Sequence, residues 1–107
     1  MTQAPARGAL TISKPQILGY FLEALNKMGV GHLRKVPPRN QPISGDGGPL
    51  VGSADMIWLL ALKCMYVFGD YHLILQQSDV ESKGRNVGGF INCIIAALKA
   101  HNVKVTN

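Results

Sequence analysis

Residues 54–68 read ADMIWLLALKCMYVF, and a helix with this sequence would be apolar on nearly every side. Ser53 can cap its first turn, Asp55 is favourable near the positive end of the helix dipole, and Gly69 ends the apolar run. A helix that is apolar all round is buried on most of its sides. The sequence therefore predicts a helix over 54–68, at the centre of the domain or at the centre of an oligomer.

The best-marked helix precedes this segment. Its cap is Ser13, which can form a capping box with Gln16, and Pro15 is favourable in the first turn. Apolar side chains then recur at steps of three and four residues as far as Gly29. This pattern predicts a helix over 14–28.

A third helix is predicted over 87–100, where Asn86 can cap the start and Asn102 can close the end in the left-handed conformation. We expect the three helices to pack around one core, because each presents apolar side chains at helical spacing. The predicted members of that core are Leu22, Leu25, Trp58, Leu62, Ile94 and Leu98.

Short strands complete the predicted fold. Ser78 and Glu81 have the spacing of a capping box and predict one helical turn. The fold class is therefore α+β and helix-dominated, with three main helices and two to four short strands in a single compact domain. The runs that favour strands lie near residues 9–12, 30–36, 71–75 and 103–106. The predicted organisation is an N-terminal arm, 1–12, and one globular domain, 13–107, with a long Pro- and Gly-rich loop at 30–52.

Composition limits the class of protein. The chain has 107 residues, of which 47% are hydrophobic and only 16% are charged. Such a chain has room for one hydrophobic core, which excludes a multi-domain enzyme and a wholly disordered chain. Because few charges remain to cover the surface, we expect part of it to be covered by copies of the same chain or by other subunits of a larger complex.

The net charge of +5 resides in the first third of the sequence. Residues 1–39 carry six basic side chains and one acidic one, whereas residues 40–107 carry five of each. This asymmetry favours contact with an anionic partner, either nucleic acid or an anionic membrane surface. The alternative is that the charge only keeps a charge-poor protein soluble.

The candidate anion-binding residues lie in two segments, GHLRKVPPR at 31–39 and the neighbourhood of GRNVGG at 84–89. No aromatic side chain suited to base stacking lies in the first segment, so it predicts contact with phosphate groups rather than reading of bases. Backbone amides at the start of the last helix could add to an anion site. The alternative is a solvated basic loop. The six candidates are His32, Arg34, Lys35, Arg39, Lys83 and Arg85.

The central helix carries three candidate interface residues, Trp58, Met56 and Tyr66. Trp, Tyr and Met are enriched where proteins meet. The alternative is that all three belong to the core. A domain of this size does not readily enclose one helix on all sides, which favours an oligomer interface.

No arrangement of residues predicts catalysis or a bound metal. Cys64 and Cys93 lie in apolar helical segments, where a thiol is protonated and inert, and neither has metal-ligand spacing. The available partners stand at no spacing that supports a Cys–His dyad; they are His32, His72, His101 and Asp70. We therefore expect a non-enzymatic protein without a cofactor or metal. Whether the two cysteines pair in a disulfide stays open.

Targeting and membrane segments are not predicted either. Residues 1–9 lack the apolar core of a signal peptide, and the apolar run at 54–68 is shorter than the roughly 20 residues that a membrane span needs. With both cysteines interpreted as free thiols, these features predict a soluble protein of an intracellular, reducing compartment.

Two segments resemble a helix pair of rhabdovirus matrix proteins. One is Met65-Tyr66-Val67, and the other lies within residues 94–106. The residues that carry the second part are Ile94, Ala96, Leu98, Asn102, Val103, Lys104 and Thr106. The resemblance covers less than half of the chain and implies a viral matrix-like protein, which a basic arm bearing Gly and Pro would suit. The predicted strands are too few for that fold.

The function that these features predict is that of a non-enzymatic structural or assembly protein. It would self-associate or pack into a larger complex, and it would contact nucleic acid or another anionic surface through its basic N-terminal third. The main alternative is a protein–protein adaptor that does not bind nucleic acid. A viral matrix-like protein and a small enzyme are lesser alternatives.

Overall fold

Helices dominate this computed structural model, which describes residues 10–28, 33–44, 50 and 55–107. The helices of the described residues are α1 (Lys14–Lys27), α2 (Asp55–Val67), α3 (Gln77–Lys83) and α4 (Val87–Ala100). Two parallel strands, β1 (Thr11–Ser13) and β2 (Lys104–Thr106), form the sheet. The predicted helix-dominated α+β fold is therefore confirmed. The predicted helices at 14–28, 54–68 and 87–100 are confirmed to within one residue at each end.

Capping side chains fix where α1 and α4 begin. The Ser13 hydroxyl accepts a hydrogen bond from the Gln16 amide at 3.2 Å, and the Gln16 side chain accepts one from the Ser13 amide at 2.9 Å. At α4, the Asn86 side chain accepts a hydrogen bond from the Gly89 amide at 2.7 Å. These bonds satisfy amides that have no partner within their own helix. Ser53, the predicted cap of α2, lies outside the described residues.

α3 is longer than the single turn predicted from Ser78 and Glu81. Its N-cap is Gln76, whose side chain makes no capping hydrogen bond, so the predicted capping box does not form. Instead, the Gln77 side chain donates to the Glu81 carboxylate at 3.0 Å, one turn further along the helix. Pairs four residues apart share a helix face, and this contact supports a two-turn helix.

The two strands bring the start of α1 beside the end of α4. Asn102, with φ of 64°, adopts the left-handed conformation predicted for it and directs the chain out of α4. Ile12 on β1 is completely buried. The register is parallel and pairs Thr11 with Lys104, Ile12 with Val105 and Ser13 with Thr106. The strands predicted near 9–12 and 103–106 are thus confirmed in the described residues.

The predicted strand at 71–75 is wrong. Residues Gly69–Tyr71 form a 3-10 turn, and His72 is left-handed with φ of 53°, so the chain turns where the strand was expected to begin. From Leu73 to Leu75 side chains do alternate between buried and exposed, but no strand of the described chain pairs with this segment. Alternation reports which side chains are buried, and a strand also needs a neighbour for its backbone.

The predicted strand at 30–36 is wrong in its described part, 33–36, which is irregular. The prolines that follow cannot donate backbone hydrogen bonds, which disfavours a strand there. Residues 30–32 of that prediction lie outside the described residues.

One apolar core joins α1, α2 and α4. Its largest fully buried side chains include three phenylalanines, Phe21, Phe68 and Phe90. The Phe21 and Phe90 rings lie 5.5 Å apart, which links α1 to α4 directly. α2 contributes one side of its surface to this core, namely Ile57, Leu60, Ala61 and Cys64.

The predicted core is partly wrong. Leu25, Ile94 and Leu98 are buried as predicted, whereas Leu22 and Trp58 are half-buried. Leu62 is exposed instead of buried. Because α2 is apolar all round, its periodicity does not indicate which side faces the core.

The chain has a mean hydropathy of +0.12, and α2 is more apolar than α1. None of the helices in the described ranges is long and apolar enough to cross a membrane.

Candidate functional site

One side of α2 faces solvent although its side chains are large and apolar. Leu59, Leu62 and Tyr66 are 46%, 45% and 76% exposed. They stand at positions i, i+3 and i+7, which lie on one face of an α-helix. We call these three residues the α2 outer face. Single exposed apolar residues are common, but a cluster of them marks a surface where another molecule docks.

The predicted interface residues lie at different depths around α2. Tyr66 belongs to the α2 outer face, whereas Met56 and Trp58 are half-buried and pack against the core. The sequence analysis instead predicts Leu62 in the core, and Leu59 is not one of its three interface candidates. Their spacing from Tyr66 is the signal that could have found them, since residues three, four and seven apart share a helix face.

Arg34 and Lys35 lie on an exposed bend after α1. Asn26 holds this bend, because its side chain accepts from the Leu33 amide at 2.8 Å and donates to the Leu33 carbonyl at 3.1 Å. Neither cation makes a hydrogen bond or an ion pair with another described residue. They are therefore an adjacent pair of charges available to an anion. His32, their predicted neighbour, lies outside the described residues.

Arg39 packs on α4 and has different surroundings from Arg34 and Lys35. Its carbonyl accepts a hydrogen bond from the Gly88 amide at 2.8 Å, and its guanidinium donates to the Asn92 side chain at 3.4 Å. A Cβ at Gly88 would stand 3.1 Å from the Arg39 side chain, so the arginine covers this glycine. The described part of the basic segment therefore divides into Arg34 and Lys35, which make no bond to another described residue, and Arg39, which is exposed but bonded to α4.

The first amides of α4 are already hydrogen-bonded within the chain. Three successive amides donate to two loop carbonyls and to the capping side chain, at 2.9, 2.8 and 2.7 Å. The acceptors, in order, are Gln41, Arg39 and Asn86. A helix start binds an anion through free amides, and these three are occupied. These three amides are therefore not available to an anion, and the predicted role of this segment depends on the side chains of Lys83 and Arg85.

The two remaining cationic candidates, Lys83 and Arg85, lie at the end of α3 and just after it. The Arg85 Nε donates to the Glu81 carbonyl at 3.0 Å, and the Arg85 carbonyl accepts from the Ile43 amide at 2.9 Å. The loop that precedes α2 therefore bonds to the start of α4 at two points. Ile43 donates to the Arg85 carbonyl, and the Arg39 carbonyl accepts from the Gly88 amide. Lys83 lines a separate groove of about 550 Å³ between α3 and α4.

The thiols are free, and their surroundings keep them protonated. Cys93 lies in the same groove as Asp79, Lys83 and His101. Burial and the Asp79 charge raise the pKa of the Cys93 thiol, and Lys83 opposes them. Burial in the core raises the pKa of the Cys64 thiol further. Because the thiolate is the reactive form, neither cysteine is activated as a nucleophile. The described part of the chain contains no group of three His, Cys, Asp or Glu side chains that could hold a metal ion.

We expect Cys64 to make the stability of the fold sensitive to alkaline pH. The pKa of its thiol is raised above the ordinary value of 9.0, so the folded protein keeps a proton that the unfolded chain loses. The free energy of unfolding therefore falls as the pH rises above about 9, by up to about 1.4 kcal/mol per pH unit. We expect Cys64→Ala to reduce this dependence, with the share due to the raised pKa of Cys93 remaining, as measured by urea unfolding at about pH 8, 9 and 10. Parallel pH profiles for the wild type and the variant would contradict this expectation.

Comparison with family models, curated proteins and solved structures gives no match to this chain. The resemblance to a rhabdovirus matrix helix pair therefore stays a prediction. The inference of function depends on the geometry described above.

Proposed function

We propose that this protein is a non-enzymatic structural or assembly protein that packs into a larger complex through the α2 outer face. The observation that carries this proposal is the row of Leu59, Leu62 and Tyr66, exposed on a helix whose opposite side is core. Covering apolar area releases roughly 25 cal/mol for each Å² removed from water. A chain with so few charged residues gains from a partner on this face, either another copy or a different subunit.

The second part of the proposal is contact with nucleic acid or another anionic surface through Arg34 and Lys35. Their exposure and their lack of partners among the described residues support it. The contact would be to phosphate groups, because Arg and Lys bind phosphate oxygens without reading the bases. The two free thiols favour an intracellular, reducing compartment for such a complex.

A protein–protein adaptor without nucleic-acid binding is the second candidate. It is favoured by the internal contacts of Arg39 and Arg85, which bind Asn92 and the Glu81 carbonyl. These contacts reduce the basic surface available to phosphate. An adaptor would keep the α2 outer face and would need neither Arg34 nor Lys35.

Sedimentation at protein concentrations up to about 100 μM tests the α2 outer face, because interfaces of ordinary size hold well below that concentration. We expect the mass of the isolated wild-type protein to rise with concentration, since an uncovered apolar face associates with the same face on another copy. The double variant Leu62→Ser/Tyr66→Ser should stay monomeric and folded. Leu18→Ser is the matched control, because Leu18 is an exposed leucine on α1. Loss of association in the control as well would contradict the assignment to α2.

A salt titration of binding to single-stranded RNA tests the basic pair. Arg34→Ala/Lys35→Ala should reduce the slope of log affinity against log salt by about 1.4, since each phosphate contact contributes about 0.7. Lys99→Ala/Lys104→Ala removes the same charge from two other exposed positions and should leave the slope nearer that of the wild type. Equal slopes for both variants would exclude a specific role for the bend. A wild type that fails to bind at about 50 mM salt would favour the adaptor.

A further inference from the structure

A groove beside the α2 outer face combines apolar side chains with two lysines. It has a volume of about 480 Å³ and lies between the end of α1 and the middle of α2. From Leu59 to Tyr66 the groove follows two turns of α2, or about 10 Å. The residues that line it are Lys27, Met28, Leu59, Leu62, Lys63 and Tyr66.

The two lysines have no counter-ion in the described chain. Lys63 is half-buried and Lys27 is exposed, and neither makes a hydrogen bond or an ion pair with another described residue. None of the described residues that line the groove carries a carboxylate. The nearest acidic residues on the two helices are Glu23 and Asp55, each one turn before the first lining residue of its helix. A cation beside apolar surface is stabilised by a carboxylate, and here a partner would have to supply it.

We infer that this groove binds an amphipathic helix of another protein, which presents an apolar stripe flanked by Asp or Glu. The inference rests on the proposed function, because it names the partner of the α2 outer face. Grooves of this kind take a helix through side chains at positions i, i+3, i+4 and i+7. Two turns of α2 match two turns of such a helix. The lysines then fix which helices bind, since complementary charge supplies specificity.

A second copy of the chain fits this groove less well. In a two-fold dimer the same patch meets itself, so the two lysines of one copy would face an equally basic patch with no carboxylate among its described lining residues. Like charges that face each other across an interface oppose association. The self-association expected of the isolated protein is therefore weak, and an acidic helix should replace it.

The test is a selection from a phage-displayed library of helical peptides, randomised along one face and its flanks, against the full chain. We expect the selected sequences to carry Leu, Ile or Phe at helical spacing with Asp or Glu beside them. Synthetic copies should bind Lys27→Glu/Lys63→Glu at least about tenfold more weakly than the wild type. The same peptides with lysine in place of the acidic residues should prefer that variant. Lys14→Glu/Lys99→Glu changes the net charge equally at two exposed positions outside the groove, and it should bind the acidic peptides nearly as the wild type does.

The outcomes separate the inference from the proposed function. Peptides that need Leu62 and Tyr66 but show no acidic preference, or that bind the charge-swapped variant equally well, would overturn the inference alone. Tight self-association at about 1 μM with no peptide selected would also overturn it and would make a second copy the occupant. Peptides that bind Leu62→Ser/Tyr66→Ser as well as the wild type would overturn both. Binding that requires the apolar pair and reverses with the charge swap supports both.

Discussion

Gly89→Ala is expected to lower the free energy of unfolding by about 3 kcal/mol, although alanine is the better helix former. A Cβ at Gly89 would overlap the carbonyl oxygen of Lys83, which is a backbone atom at the end of α3. Relief of this overlap would require α3 and α4 to move apart. That movement would also disturb the capping bond between Asn86 and the Gly89 amide.

Two other glycines are matched controls for this prediction. At Gly88 a Cβ would stand 3.1 Å from the guanidinium of Arg39, which can move, and 3.1 Å from the Arg39 Cβ, which must shift with its backbone, so Gly88→Ala should cost about 1 kcal/mol, less than Gly89→Ala. At Gly19, on α1, a Cβ would meet no atom of the described chain within 4 Å, so Gly19→Ala should stabilise by about 1 kcal/mol. Urea unfolding followed by circular dichroism measures all three. Equal stabilities for Gly88→Ala and Gly89→Ala would show that the helices do not meet at this point.

Leu60→Ala is expected to lower the free energy of unfolding by about 3 kcal/mol, and Leu62→Ala by less than about 0.5 kcal/mol. The two leucines stand two positions apart on α2, with Leu60 fully buried and Leu62 exposed. Truncation of a buried leucine leaves a cavity, whereas truncation of an exposed one leaves none. Both variants replace leucine by alanine within α2, so they change helix propensity equally. The difference between their urea midpoints therefore reports the difference in burial. Similar losses for both would mean that α2 faces the core with a different side.

The ends of α1 and α4 could be predicted from the sequence because capping is local. The Ser13 hydroxyl reaches an amide three residues away, and the Asn86 side chain does the same at α4. The left-handed Asn102 closes α4 by the same short-range geometry. Each of these signals depends only on residues within about one helical turn. Their prediction therefore needed no knowledge of packing.

The orientation of α2 could not be predicted because it depends on what packs against the helix. Its sequence is apolar on every side, so Leu62 and Leu60 look equivalent until the neighbours of each are known. The strand prediction for the segment from Leu73 to Leu75 was wrong for a similar reason. Its alternating pattern arises from packing against helices, and it has no strand partner in the described chain.

The sequence could not show which cationic residues are available to an anion, because contacts between distant parts of the sequence engage some of them. The sequence shows that Arg39 is basic, but its contact with Asn92 joins residues 53 positions apart. The loop carbonyls that occupy the first amides of α4 are equally remote from it in the sequence. Arg34 and Lys35 have the predicted exposure, and the bend that carries them is held by Asn26, seven residues before Leu33.

The parallel pairing of β1 with β2 has a consequence for the order of folding. It joins Thr11 to Lys104, so forming it closes a loop that contains α1, α2, α3 and α4. The entropy lost in closing a loop of that length amounts to about 4 kcal/mol, more than two three-residue strands recover by themselves. We therefore expect the strands to pair only after the helices have packed and have brought these segments together. Weakening the pair should accelerate unfolding while leaving the refolding rate nearly unchanged.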